Sequence, residues 1–256
     1  MCTLVAFHRV VPDAPLVIAA NRDEFLDRPA EGFALRPGGV LAPRDLREGG
    51  TWMGLNRYGL FAGLTNRARG GTRDPARRSR GHAVFEVLRG ARSAQSAARL
   101  LEGLPVGAYN PFHLLVADGR AAWLAVYENA PKVFALQPGL HVIGNRDPAG
   151  APGPKEEGIR RACERFAGRP LEMVVAGAAA VLADHADGDT ERAACVHREG
   201  YGTRSAAILA LGRSGRGRLL FASGPPCRTP FRDESALLRE LAGDATGRAA
   251  ATRSET

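Results

Sequence analysis

The segment 1-MCTLVAFHRVVPDAPLVIAANRDE-24 organises the reading of everything after it. Residues 3–11 and 16–20 are apolar and β-branched enough to be strands, and Pro12-Asp13-Ala14-Pro15 between them is a turn signal, so the pair reads as a β-hairpin. At the end of the second strand stand Asn21, Arg22, Asp23 and Glu24, four polar residues that are costly to bury unless they pair or act. Strand alternation sets Asn21 and Asp23 on one face and Arg22 and Glu24 on the other. A hairpin lays the far end of its second strand beside the start of its first, so Asp23 is expected near Cys2. Cys2 follows Met1, and a small residue there permits removal of the initiator methionine. A processed Cys2 would carry a thiol and an α-amine with a reference pKa of about 7.7–8, a nucleophile and its general base on one residue. Taken alone, an unreactive cysteine at a strand start and a solvated turn of surface ion pairs explain the same residues.

Working outward, 51–56 and 59–65 form a second hairpin candidate, and apolar spacing predicts a helical tract over 82–103 broken near Gly90. Strands are expected at 112–117, 121–127, 132–136 and 140–143, with Asp118-Gly119-Arg120 and Gln137-Pro138-Gly139 as turns. Residues 155–166 and 171–184 read as helices, 203–211 and 218–222 as strands, and 232–242 as a closing helix. No linker or repeat divides the chain. The expectation is one domain over 1–242 and a small, polar, disordered tail over 243–256. Mostly hairpin-joined strands with helices between groups predict an α+β fold of antiparallel sheets covered by helices.

The 256 residues are 45% hydrophobic and 24% charged, ordinary values for a folded globular chain of this size. No apolar run is long enough to cross a membrane as a helix, so no integral membrane association is expected. The net charge is +8, yet among 35 cations only Lys132 and Lys155 are lysines, a bias that reads as codon usage. The densest basic run, 67-RARGGTRDPARRSR-80, has no aromatic to interleave with it, so nucleic acid is not the expected partner. Cys2, Cys163, Cys195 and Cys227 form no CxxC pair, and the six histidines form no HxH or HxxxH. A metal site is not expected, and reduced thiols in a cytoplasm are the default.

The opening MCTLVAFHRV, then LVIAANRDEFLDRP, GGTWMGLNRYGLFAGLTN and YGTRSAAIL, in that order from Cys2 to about Phe221, resemble the NRDE family, also called the transport and Golgi organisation family. The resemblance implies a four-layer αββα sandwich of the N-terminal nucleophile (Ntn) hydrolase kind, akin to choloylglycine hydrolases and penicillin V acylases, which cleave non-peptide amides with an N-terminal cysteine. Carried onto this sequence, it implies Cys2 as nucleophile, Asp23 beside the amine, Asn66 as oxyanion donor, and Asn145 in HVIGN as a second site asparagine. The acylase arginine of the second strand falls on Ala20. Arg22 stands on the opposite face, so the resemblance points to Arg204 in GTRSA as the cation near the thiol. Arg22, Trp52 and Tyr201 are candidate substrate contacts. No motif supports His113 or His197 in proton transfer.

Two readings follow. One is an amidohydrolase or acyltransferase working through a Cys2 acyl-enzyme on a small-molecule amide, with no cofactor. The other is a non-catalytic haem- or lipid-binding protein that keeps the fold, with Cys2 or His8 as an axial haem ligand. The oligomeric state is left open.

Overall fold

The computed structural model describes residues 2–67, 73–148, 150–212 and 217–251, the last eight by their backbone. Alternating apolar segments build two antiparallel sheets. The first has β1 (Thr3–Val11), β2 (Ala14–Phe25), β10 (Gly139–Ile143), β11 (His197–Arg198), β12 (Tyr201–Leu211), β13 (Arg218–Ala222) and β14 (Arg232–Asp233). Its order is β10-β1-β2-β12-β13-β14, with β11 beside β12. The second runs β3 (Ala30–Arg36), β4 (Val40–Asp45), β5 (Met53–Asn56), β6 (Phe61–Asn66), β7 (Phe112–Ala117), β8 (Ala122–Tyr127) and β9 (Pro131–Leu136) in sequence order.

Period-two alternation sorts each strand's side chains into different layers. Leu4, Ala6, Leu16 and Ile18 meet Phe61, Leu115 and Leu124 between the sheets. Val5, Phe7, Val17 and Ala19 point the other way, onto α3 (Pro154–Glu164) and α4 (Leu171–Leu182). Ala62, Leu114, Val116 and Ala125 of the second sheet pack against α1 (Arg80–Gly90) and α2 (Ala94–Glu102). The result is an αββα sandwich, the expected fold. Among the described residues no helix is long and apolar enough to cross a membrane.

Several boundaries differ from expectation for physical reasons. β2 does not end at Ala20; pairing with β12 carries it to Phe25, so Asn21–Glu24 lie inside the strand rather than after it. β3 and β4 were not anticipated, because β3 mixes Ala30, Gly32 and Ala34 with Glu31 and Arg36 around only Phe33 and Leu35, and β4 contains Pro43, which weakens a strand signal. The turn at 137–138 is not a hairpin within one sheet: it passes the chain from β9 in the second sheet to β10 in the first. The helical tract breaks at 91–93, where Ser93 and Ser96 form a capping box that starts α2, rather than at Gly90. The closing helix α5 runs Ala236–Ala251, past Gly243 where the tail was expected to begin. Residues 252–256 of that expected tail lie outside the described residues.

Asn56, 2% exposed at the β5–β6 turn, ties the second sheet to its helix layer. Its amide donates to the carbonyls of Leu88 and Ala91 at 2.9 and 2.8 Å, and its oxygen accepts from the Tyr58 and Leu60 amides at 3.0 and 3.1 Å. Asn56→Ala removes four partners at a buried turn and is expected to destabilise the fold by about 2–4 kcal/mol. Urea unfolding at unchanged m-value measures it; a loss below about 0.5 kcal/mol would show that water replaces the side chain.

Candidate functional site

The register of β1 and β2 decides which groups surround Cys2. Thr3 pairs with Asn21 and Leu4 with Ala20, so one step further brings Cys2 opposite Arg22. Directly opposed residues share a sheet face. Cys2 and Arg22 therefore continue the face of Leu4 and Ala20, between the sheets, while Asp23 continues the face of Asn21 and Ala19, toward α3 and α4. The alternation expected for Asn21–Glu24 is present, but the side facing the sulfur is the Arg22 side.

Cys2 lies in the wall of a narrow cleft, together with Arg22, Trp52, Asn66, Arg73 and Arg80. The Arg22 guanidinium stacks 4.1 Å from the Trp52 ring and pairs with Asp45 at 2.9 Å. Asp45 also binds Arg28 at 2.7 Å and accepts from the Arg47 and Glu48 amides. Burial works against that carboxylate, but Arg28, the Glu48 amide and Arg22 together hold its pKa below the usual range. Burial pushes the Cys2 thiol up; the amino-terminal charge and Arg22 pull it down, and Asp23 pushes it further up. The far wall comes from the segment leading into α1. There Gly50 and Gly81 stand back to back: a Cβ on Gly50 would lie 2.7 Å from the Gly81 carbonyl carbon. The GGTW run thus sets the width of the cleft and carries Trp52 under Arg22.

Asp23 is anchored on the other face. Its carboxylate accepts from Thr203 Oγ1 at 2.7 Å and pairs with Lys155 Nζ at 3.5 Å, and its carbonyl accepts from the Tyr201 hydroxyl at 3.0 Å. Burial raises its pKa and the Lys155 charge opposes that. Tyr201 is therefore a buttress of Asp23 and does not line the cleft. Asn145 Nδ2 donates to the carbonyl of Asn66, which joins the two asparagines that the sequence set 79 residues apart. Arg204 departs from expectation. A register shift between Thr203 and Ser205 turns it out of the ladder, and its guanidinium donates to the Arg28 carbonyl at 3.0 Å. It is not in the cleft wall; the cation across from the sulfur is Arg22.

These residues do not suit a haem. Apart from Cys2 and glycines, only Trp52 and Leu64 are apolar in the cleft wall, and the His8 ring is 1% exposed within β1, with no open face for a macrocycle. His113 is equally buried, with Nδ1 3.2 Å from the Gly144 carbonyl, outside the cleft.

The family model described as Transport and Golgi organisation 2 matches residues 1–220. The chain belongs to that family. It is 31% identical over 142 residues to the mouse Transport and Golgi organization 2 homolog and 33% identical over 141 residues to the human one, covering 51% of this chain and 50% of each relative. The chain thus spans about half the length of the curated relatives it matches. Among solved structures it resembles penicillin V acylase from Agrobacterium tumefaciens, with TM-score 0.60, 16% identity and coverage of 93% of this chain and 88% of that one. It also resembles the Caenorhabditis elegans ortholog of N-acylethanolamine-hydrolyzing acid amidase, with TM-score 0.53, 13% identity and coverage of 81% and 92%. The shared feature is the four-layer αββα sandwich.

In this family member three site neighbours escaped sequence reading. Asp45 sits in the unrecognised β4, and Arg80 is hidden within an arginine-rich run. Lys155 had one signal, being one of two lysines in an arginine-dominated chain. Because Arg22 favours the thiolate, Arg22→Ala is expected to move the pH profile of Cys2 alkylation to higher pH, with Arg22→Lys restoring part of the shift. Arg204→Ala is expected to leave the profile in place. Equal effects of both changes would contradict the register-based assignment.

Proposed function

We propose that this chain is an N-terminal-cysteine amidohydrolase that cleaves a small, non-peptide amide carrying a negative charge. The observation behind this reading is a nucleophile in a cleft walled by Arg22, Arg28, Arg73, Arg78 and Arg80, against only Glu24 and Asp45. Asp45 bridges Arg22 and Arg28, Glu24 lies 3.7 Å from Arg28, Arg78 pairs with Glu86, and Arg73 pairs with Glu48 at 3.0 Å. Arg80 has no carboxylate partner among the described residues, and it opens α1, whose first turn holds no acidic residue. A half-buried guanidinium beside a helix N-terminus favours an anion. That Arg73, Arg78 and Arg80 of the basic run wall a narrow cleft supports a small anion over nucleic acid. The Ntn sandwich shared with an acylase makes an amide the first bond type to test.

In the reaction we infer, removal of Met1 frees the α-amine of Cys2. The amine takes the thiol proton, Arg22 steadies the thiolate, and the sulfur attacks the amide carbonyl. The Asn66 side chain donates to the developing oxyanion while Asn145 fixes its backbone. The ammonium then protonates the leaving amine, and water resolves the thioester; an amine in place of water would make the same chain an acyltransferase. Asp23, held by Thr203, Lys155 and Tyr201, keeps the second strand in place beneath the nucleophile. Free thiols at all four cysteines suit a cytoplasmic site of action.

Intact mass of active protein is expected to lack Met1, and an electrophilic acyl probe is expected to label Cys2 and nothing in Cys2→Ala. Asn66→Ala should lower kcat by about 10²–10³-fold, the usual loss for one oxyanion donor. Arg80→Ala should raise KM about 10- to 100-fold for anionic amides and little for neutral ones. Turnover by protein that retains Met1 would overturn the mechanism; equal KM changes for both substrate classes would remove the anion.

A further inference from the structure

Outside the cleft, three separate segments converge on one point. His185 follows α4, Cys195 and His197 lie in the approach to β12, and Cys227 lies beyond β13. Their donor atoms all fall within 4.8 Å of one another. Cys195 Sγ is 3.6 Å from Cys227 Sγ and 3.6 Å from His197 Nε2, and His197 Nε2 is 3.3 Å from Cys227 Sγ. The His185 ring lies 5.0 Å from the His197 ring.

These separations have the size of tetrahedron edges. A zinc ion with Zn–S of about 2.3 Å and Zn–N of about 2.0–2.1 Å sets sulfur about 3.8 Å from sulfur and about 3.6 Å from nitrogen. The donor set contains no carboxylate, and two thiolates with two imidazoles select a borderline-soft tetrahedral ion over magnesium or calcium. We propose that His185, Cys195, His197 and Cys227 form a structural Cys2His2 site for Zn(II). Binding replaces two thiol protons with the dication and leaves a neutral centre with no open position, so the ion is a clip and not a reagent. The proposal departs from the expectation of no metal site. Spacing rules scan short motifs, whereas here 29 residues separate His197 from Cys227, and the edge of the first sheet brings them together.

What the clip would hold is visible next to it. The Asn21 amide donates to the carbonyls of Leu182 and Ala194 at 2.8 Å each. The Val196 amide donates to Thr203 Oγ1 at 2.9 Å, and that hydroxyl donates to Asp23 Oδ1. Cys195 thus sits between the two residues that fasten Asn21 and Thr203. The segment 183–196 has no regular structure beyond one turn at Ala186–Gly188, and a metal supplies the cross-link that a core does not.

The test uses the full chain, purified under reductant and stripped with chelator. One zinc per chain by elemental analysis is expected after reloading. Co(II) in its place should give tetrahedral d–d bands and thiolate-to-metal charge transfer. Cys227→Ser and His185→Ala should each weaken Zn(II) binding by more than about tenfold, while Cys2→Ser leaves the cobalt spectrum intact. In the unmutated chain, chelation should lower Tm and zinc should restore it, a readout independent of variant folding and of any amidase turnover. Absence of charge-transfer bands in reduced protein would overturn the proposal. So would unchanged metal binding in the Cys195→Ser/Cys227→Ser double variant, or a Cys195–Cys227 disulfide peptide from protein purified without chelator.

Discussion

The pairing register of β1 with β2 is the constraint on which the rest depends. From Thr3 to His8 the opposed residue numbers of the two strands keep one sum, and extending it by one step brings Cys2 opposite Arg22. A slip of one residue would turn every side chain of one strand to the other face. The slip would move Leu16 and Ile18 out of the layer between the sheets and bring Val17 and Ala19 into it, so apolar packing on both faces holds the register. The same packing therefore holds a cation beside the sulfur. The core and the cleft are consequences of one alignment.

The second strand serves both layers at once. Toward the other sheet it offers Arg22, locked by Asp45 and by the Trp52 ring; toward the helices it offers Asn21 and Asp23, locked by Ala194, Leu182, Thr203 and Lys155. A run of four polar residues is tolerated inside a central strand because each one finds a partner supplied by a different element. Burial raises the pKa of Asp23 while the Arg28 and Arg22 contacts lower that of Asp45. Two carboxylates, Asp23 in the first sheet and Asp45 in the second, are thus held in different electrostatic states. Arg73, Arg78 and Arg80 of the arginine-rich segment are part of the same design, since they wall the cleft that Cys2 faces.

Reading the sequence found most strands and helices because strong alternation and helical spacing survive in 112–127, 155–164 and 203–211. It missed β3 and β4, whose few large apolar residues are broken up by small and charged residues and by Pro43, and with them Asp45. It found Asn66 and Asn145 through resemblance but had no means of seeing that the second donates to the backbone of the first. It misassigned the cation because a bulge in β12, invisible in the residues themselves, turns Arg204 toward the Arg28 carbonyl.

The order of apolar and polar residues determined that antiparallel sheets are covered by helices, the hairpin that opens the chain, and the position of Cys2 at a strand start, because these depend on local periodicity and neighbouring turns; the family is carried by the resemblance of specific motifs. Only the tertiary structure decided which face of β2 meets the sulfur, that arginines wall the cleft, that β9 and β10 belong to different sheets, and that His185, Cys195, His197 and Cys227 share one point. Those features arise where segments far apart in the chain are brought together by packing of the layers, and no local pattern encodes such a meeting.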